Sequence, residues 1–295
     1  MLWVLVLAVF AGISYSLDGV AYRYAEKFAI NSRQLLFPIT LTSSLVFLIF
    51  AWRERASWQL IAIAVAAGAS QYLLAFFYQL ALRHGPLTPM WCALMLCFVP
   101  VILYAGIFLK ETIGLFQVSS IVLAAVAVIA AAYSNRSEPS PSEKSRKKAG
   151  ISLFYVMILL VLTGLNGFSN IALKMASALR GGEEYKGAEN LYMTVFFGTS
   201  AALIFLEFLF TRKWPRFSRH LVGATLMGAG GCSVGMWLLS LVVTAPAALV
   251  FTAMNTASIL SAGVLSVTLF GEKRSPAWYC MVVSAISAIV LSNLS

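Results

Sequence analysis

Residues 12 to 25 read Gly-Ile-Ser-Tyr-Ser-Leu-Asp-Gly-Val-Ala-Tyr-Arg-Tyr-Ala, and residues 163 to 176 read Thr-Gly-Leu-Asn-Gly-Phe-Ser-Asn-Ile-Ala-Leu-Lys-Met-Ala. Aligned, the two stretches place Arg23 opposite Lys174. A second match, Phe-Leu-Lys-Glu-Thr (108 to 112) with Leu-Phe-Gly-Glu-Lys (269 to 273), places Glu111 opposite Glu272. The offsets of 151 and 161 residues agree once an insertion around Gly181 to Gly187 is allowed. The chain is thus built from two similar halves.

The solvent of those halves follows from composition. Of 295 residues 60% are apolar and 11% charged, too little polar surface to cover a soluble globule of this size. Uncharged stretches such as 56 to 82, 85 to 109, 112 to 135 and 149 to 173 are each long enough to cross hydrocarbon as a helix. Alternating strands are absent, which excludes a barrel. At about 20 residues per crossing, helices are expected near 2–24, 33–52, 58–82, 87–109, 113–134, 150–174, 190–210, 221–243, 246–270 and 275–294. The opening segment, Leu2 to Leu17, lacks a basic leader and a clear cleavage site, so it reads as a retained helix.

The expected fold is an all-α integral membrane protein of ten transmembrane helices, a five-helix repeat over 1–134 and another over 150–295. Between them, 135–149 is a solvated basic linker with Pro139, Pro141 and a Lys/Arg cluster. Five is odd, so consecutive repeats must enter the bilayer from opposite sides and form an inverted pair. Such pairs suit a carrier with a site near the midplane where the repeats meet. The net charge of +10 is spread between apolar segments and not gathered in one basic domain, so it reads as topology signal and no nucleic-acid partner is expected. Fifteen of the 21 Lys and Arg residues fall in the odd-numbered connections, which by the positive-inside rule places both termini outside.

The ten-helix layout, the basic residue ending the first helix of each half and the Glu after the fourth resemble the drug/metabolite transporter superfamily, EamA-type proteins in particular. Leu-Phe-Gly-Glu-Lys-Arg-Ser-Pro (269 to 276) is similar to that family's Gly-Glu turn before the last helix, while Lys110 stands where Gly is usual and Tyr15-Ser16 replaces the aromatic-glycine pair of the first helix. The resemblance implies a secondary transporter of amino acids or similar small polar metabolites, by alternating access and with possible proton coupling, in a bacterial cytoplasmic (inner) membrane. It also implies cytoplasmic termini, against the charge count, and allows a homodimer. Nucleotide-sugar or sugar-phosphate exchange in the same superfamily is an alternative that requires a basic cavity. A non-transporting sensor or assembly subunit is an alternative of another class.

Site candidates come from polar residues at membrane depth. Asp18, the one Asp in the chain, would cost roughly 2 to 4 kcal/mol facing lipid, so it should face the interior. It reads either as a proton-coupling or amine-binding carboxylate or as a structural partner of a cation. Tyr15 and Tyr22 share its face at helical spacing. In the third helix Gly68, Gln71, Tyr72, Ala75 and Gln79 form a stripe, with Gln71 and Tyr72 as cavity candidates or as interhelical hydrogen-bonding groups. Asn166 and Asn170 in the sixth helix, and Asn255 in the ninth, are expensive at this depth without partners or water. Trp91, Met95 and Trp237 could supply an apolar wall, although Trp91 equally suits an interfacial anchor. Lys174 is expected to snorkel to the headgroups and Glu207 to reach the interface. Pro38, Pro100 and Pro246 mark kinks or helix starts. Cys92, Cys97, Cys232 and Cys280 read as small core residues. No phosphate loop, catalytic carboxylate pair, metal-ligand spacing or nucleophile elbow occurs, so neither enzyme activity nor a metal or cofactor is expected.

Overall fold

The structure, a computed structural model, describes residues 1–28, 30–84, 94–134, 153–212, 214, 218–270 and 276–294. Ten α-helices are present among them: α1 (Leu2–Lys27), α2 (Ser32–Ala51), α3 (Trp58–His84), α4 (Phe98–Phe108), α5 (Leu115–Ser134), α6 (Leu153–Ala178), α7 (Glu189–Thr211), α8 (Arg219–Val242), α9 (Ala247–Phe270) and α10 (Pro276–Asn293). A 3-10 turn, Leu179–Gly182, follows α6. Seven of the helices are long and apolar enough to cross a membrane; the apolar parts of α4, α5 and α10 are shorter. The protein is an all-α, multi-pass integral membrane protein. Helices are the form lipid demands, because each satisfies its own backbone where water cannot. The exposed ends are capped by polar side chains: Asn31 Oδ1 accepts from the Arg33 amide at α2 and Ser218 Oγ from the Leu221 amide at α8.

The surface is apolar on all sides, with Phe210, Leu226 and Ile107 pointing outward. The interior mixes small and polar residues with large apolar ones: Ala8, Ala11, Ala64, Ala67, Ser120 and Thr256 are fully buried, as are Phe98, Phe251 and Tyr155. Between solvents of equal apolarity, helices associate through close backbone approach and interhelical hydrogen bonds. Gly12 lies against the Met254 carbonyl of α9, and Gly68 against the Phe196 carbonyl of α7, at approaches that leave no room for a Cβ.

Contacts fix how the helices run. α1 is antiparallel to α8, since Tyr15 meets Gly235 and Asp18 meets Gly228. It packs beside α9, which the short turn 243–246 sends back parallel to α1. In the same way α6 is antiparallel to α3, where Ser70 donates to the Leu165 carbonyl, and parallel to α4, where Asn166 meets Leu94 and Asn170 meets Cys97. α2 and α7 are antiparallel, clasped at one end by Glu54, which accepts from Asn190 and the Leu191 amide. Arg33 and Glu207 clasp them at the other. α5 and α10 form a further antiparallel pair, joined by Ser120 to the Ala288 carbonyl. Consequently α1 and α6 run in opposite directions. One end of the bundle, called the first end below, gathers the start of α1, the ends of α2, α4, α6 and α8, and the starts of α7 and α9.

One expectation about the elements needs correction. The segment 87–109 is not one continuous helix: Leu94 and Met95 are helical, Leu96 and Cys97 form a turn, and the helix resumes at Phe98. Pro100 is the cause, having no N–H to give the carbonyl four residues back, so the Leu96 carbonyl takes the Val99 amide at 3.1 Å instead. Pro38, by contrast, sits inside an unbroken α2, and Pro246 immediately precedes α9. The linker 135–149 lies outside the described residues.

Candidate functional site

The interruption of α4 is the centre of a polar cluster contributed by both halves. Asn166 Nδ2 donates to the Leu94 carbonyl at 2.9 Å, serving an acceptor just before the break. One turn further along α6, Asn170 Nδ2 lies 3.6 Å from Cys97 Sγ. From α9, Asn255 Oδ1 accepts from the same thiol at 3.6 Å, and its Nδ2 donates to the Phe251 carbonyl at 2.8 Å. Between the asparagines sits Gly167, where an added Cβ would fall 2.5 Å from Pro100 Cγ and 3.4 Å from the Cys97 carbonyl. Only glycine lets α6 come this close to the broken segment. Three amides, a thiol and an irregular stretch of backbone inside an apolar bundle can offer both donors and acceptors to a solute, since each amide can exchange its internal bonds for external ones.

α1 adds a second polar line. Tyr15 packs its ring over Gly235 of α8, where an added Cβ would fall 3.2 Å from it. Asp18 Oδ1 faces Gly228 of α8 and is buried with no hydrogen-bond partner among the described residues. Tyr22, one turn on, stands beside Tyr78 of α3 with ring centroids 6.0 Å apart.

The remaining candidates are dispersed. Tyr72 does not face this cluster: its hydroxyl donates to Glu207 Oε2 at 3.3 Å and its ring packs with Leu36, Ala75, Ile204 and Phe208. The third-helix stripe from Gly68 to Ala75 is therefore a seam with α7, and Gln71 is half-buried. Met95 packs with Val128, Ile259 and Met281. Trp237 is 51% exposed on the outer surface. Cys280 is exposed too, so it is not a core residue. Trp91 and Cys92 lie outside the described residues. Glu207 is not free at the interface but paired with Arg33.

Lys174 departs furthest from expectation. It does not snorkel; it is 1% exposed. Its ammonium meets Glu111 Oε1 at 2.7 Å and donates to the Val243 and Ala245 carbonyls at 3.1 and 2.6 Å. Glu111 Oε2 in turn accepts from the Ala247 amide at 2.6 Å, the first turn of α9. Four residues from a helix end, a lysine reaches headgroups or a buried partner equally well, and hydropathy does not separate the two. Alongside lies Tyr185, carried by the segment after the 3-10 turn and buried to 1% beside Tyr192. Burial holds its phenol well above the usual value, so it stays protonated at neutral pH. Sequence reading treated this segment only as an insertion, Cys97 as a small core residue and Glu111 as the counterpart of Glu272; the Pro100 signal was the one pointer to the surroundings of Cys97.

Comparison with known proteins is informative about fold. No family model and no curated protein matches the chain. Twenty-eight chains among solved structures do match. One, described as "Crystal structure of protein", superposes with a TM-score of 0.77 over 98% of this chain and 96% of its own, at 14% identity. At that identity the likeness concerns the fold.

Proposed function

We propose that the protein is a secondary transporter, an EamA-type member of the drug/metabolite transporter superfamily, moving a small polar organic metabolite by alternating access through ten spans. The observation that carries this reading is the interrupted α4 within the bundle, surrounded by Asn166, Asn170, Asn255 and Cys97. Irregular backbone at membrane depth is tolerated where protein or a cavity covers it, and broken helices of this kind form transporter sites.

The helix pairings support an inverted repeat. Renumbering each helix by five exchanges α1 with α6, α3 with α8 and α4 with α9, which turns the α1–α8 contact into α6–α3 and the α1–α9 contact into α6–α4. The α2–α7 and α5–α10 pairs map onto themselves. Even the close approaches correspond: Gly68 of α3 seats α7, and Gly228 of α8 seats Ile39 of α2. A phosphate-bearing solute is disfavoured, because the Lys174 ammonium is already consumed by Glu111 and two carbonyls.

The test is to screen metabolites for a rise in melting temperature of the purified protein, then to follow flux of the best stabiliser in proteoliposomes. Asn255→Ala should lower the initial rate about fivefold, the equivalent of one hydrogen bond of about 1 kcal/mol. An unchanged rate in a folded variant removes Asn255 from the site. Binding without flux in the parent protein would instead favour a sensor.

A further inference from the structure

We propose that the Glu111–Lys174 pair is a latch that closes the first end of the bundle over the Cys97–Asn170–Asn255 cluster, and that opening toward this end requires the pair to separate. The inference rests on the alternating-access reading above and adds a moving part to it.

The pair ties three segments together. Glu111 belongs to the connection between α4 and α5, Lys174 to α6, and the bonded carbonyls and amide to the turn between α8 and α9. It therefore joins the first half to two elements of the second. Its position lies on the way out of the cluster. Asn170 precedes Lys174 by one turn, about 6 Å along the axis, and Asn255 follows Ala247 by about 12 Å. The same three helices, α4, α6 and α9, hold the cluster at one level and the latch at the next.

Its chemistry favours two states. With Lys174 side chain 2% and Glu111 22% exposed, each charge is compensated mainly by the other and by the turn. A partial separation would strand a buried charge, whereas full separation with water admitted would solvate both. Such an arrangement is either made or open. Tyr185 completes the closure. Its segment is bounded by Gly182 at φ +89 and Gly187 at φ +101, conformations that suit glycine, and it sets the ring into the core beside Tyr192. A Cβ added at Gly182 would come within 4.0 Å of Thr244 of the latched turn.

Cys97 is a reporter already in place, buried in the cluster. The full-length protein in liposomes is treated with N-ethylmaleimide, and modification of Cys97 is followed by peptide mass spectrometry, with exposed Cys280 as internal reference. Glu111→Gln keeps an acceptor for Ala247 but removes the ion pair. Together with Lys174→Met it leaves no buried charge. The double variant should label at Cys97 at least tenfold faster than the parent, and Glu111→Gln alone several-fold faster, with Cys280 unchanged. Parent-like Cys97 labelling in either variant, at a melting temperature showing that it is folded, overturns the latch. Faster labelling in a protein that carries no metabolite supports the latch and removes the transport reading; parent-like labelling with intact flux removes the latch alone.

Discussion

Gly164 and Gly167 lie one turn apart on α6 in opposite surroundings. A Cβ at Gly164 meets nothing within 4 Å among the described residues, while one at Gly167 runs into Pro100 and Cys97. Gly164→Ala should therefore be neutral or stabilise by up to about 1 kcal/mol through helix propensity. Gly167→Ala should cost about 1 to 3 kcal/mol by overpacking, and equal melting temperatures for the two would contradict this account of the α4–α6 contact. Asp18 is decided at the same scale. Its Oδ1 lacks a partner among the described residues, so a proton is the simplest thing it could take up. Asp18→Asn should abolish the response of flux to a pH gradient while leaving equilibrium exchange of labelled substrate; gradient-driven flux at the parent rate would discard coupling. Asp18, Asn166, Asn170 and Asn255 were visible as residues because polar groups are conspicuous in an apolar chain. Their surroundings were not, since Cys97, the partner of Asn170 and Asn255, looks like any small apolar residue until something is placed beside it.

Among elements, α4 is the one whose irregularity matters. Pro100→Ala would return an N–H to the Leu96 carbonyl, regularising the helix and adding one hydrogen bond, about 1 kcal/mol. A straighter segment draws the Leu94 carbonyl back into the helix and away from Asn166. The expected outcome is a higher melting temperature with lower flux in proteoliposomes, the exchange of activity for stability met at strained sites. Flux equal to the parent's would show that the break is incidental. The other helices follow their expected limits to within a few residues, since hydropathy runs and Pro or charged flanks are local signals. Pro100 marked the place without deciding between a kink and a new helix start, because a proline in the first turn of a helix and one within a helix read alike.

For the whole molecule, the directions of the helices make a labelling prediction. Arg53, after α2, stands at the first end and Arg219, starting α8, at the opposite one beside Tyr24, whose hydroxyl bonds His220. An impermeant thiol reagent should reach Arg53→Cys from one face of the membrane and Arg219→Cys only from the other; labelling of both from one face would refute the arrangement. The solvent, the helical class and the helix positions were legible in the residues alone, because each helix in lipid must satisfy its own backbone and so announces itself by composition. Which side of each helix faces inward was left to the tertiary structure. Tyr72 turned to Glu207, Trp237 to the outer surface and Lys174 to Glu111, and no periodicity marked these choices. In water a core is recognised by being more apolar than its surroundings, but lipid is as apolar as the core, so only the partner helices decide what is inside.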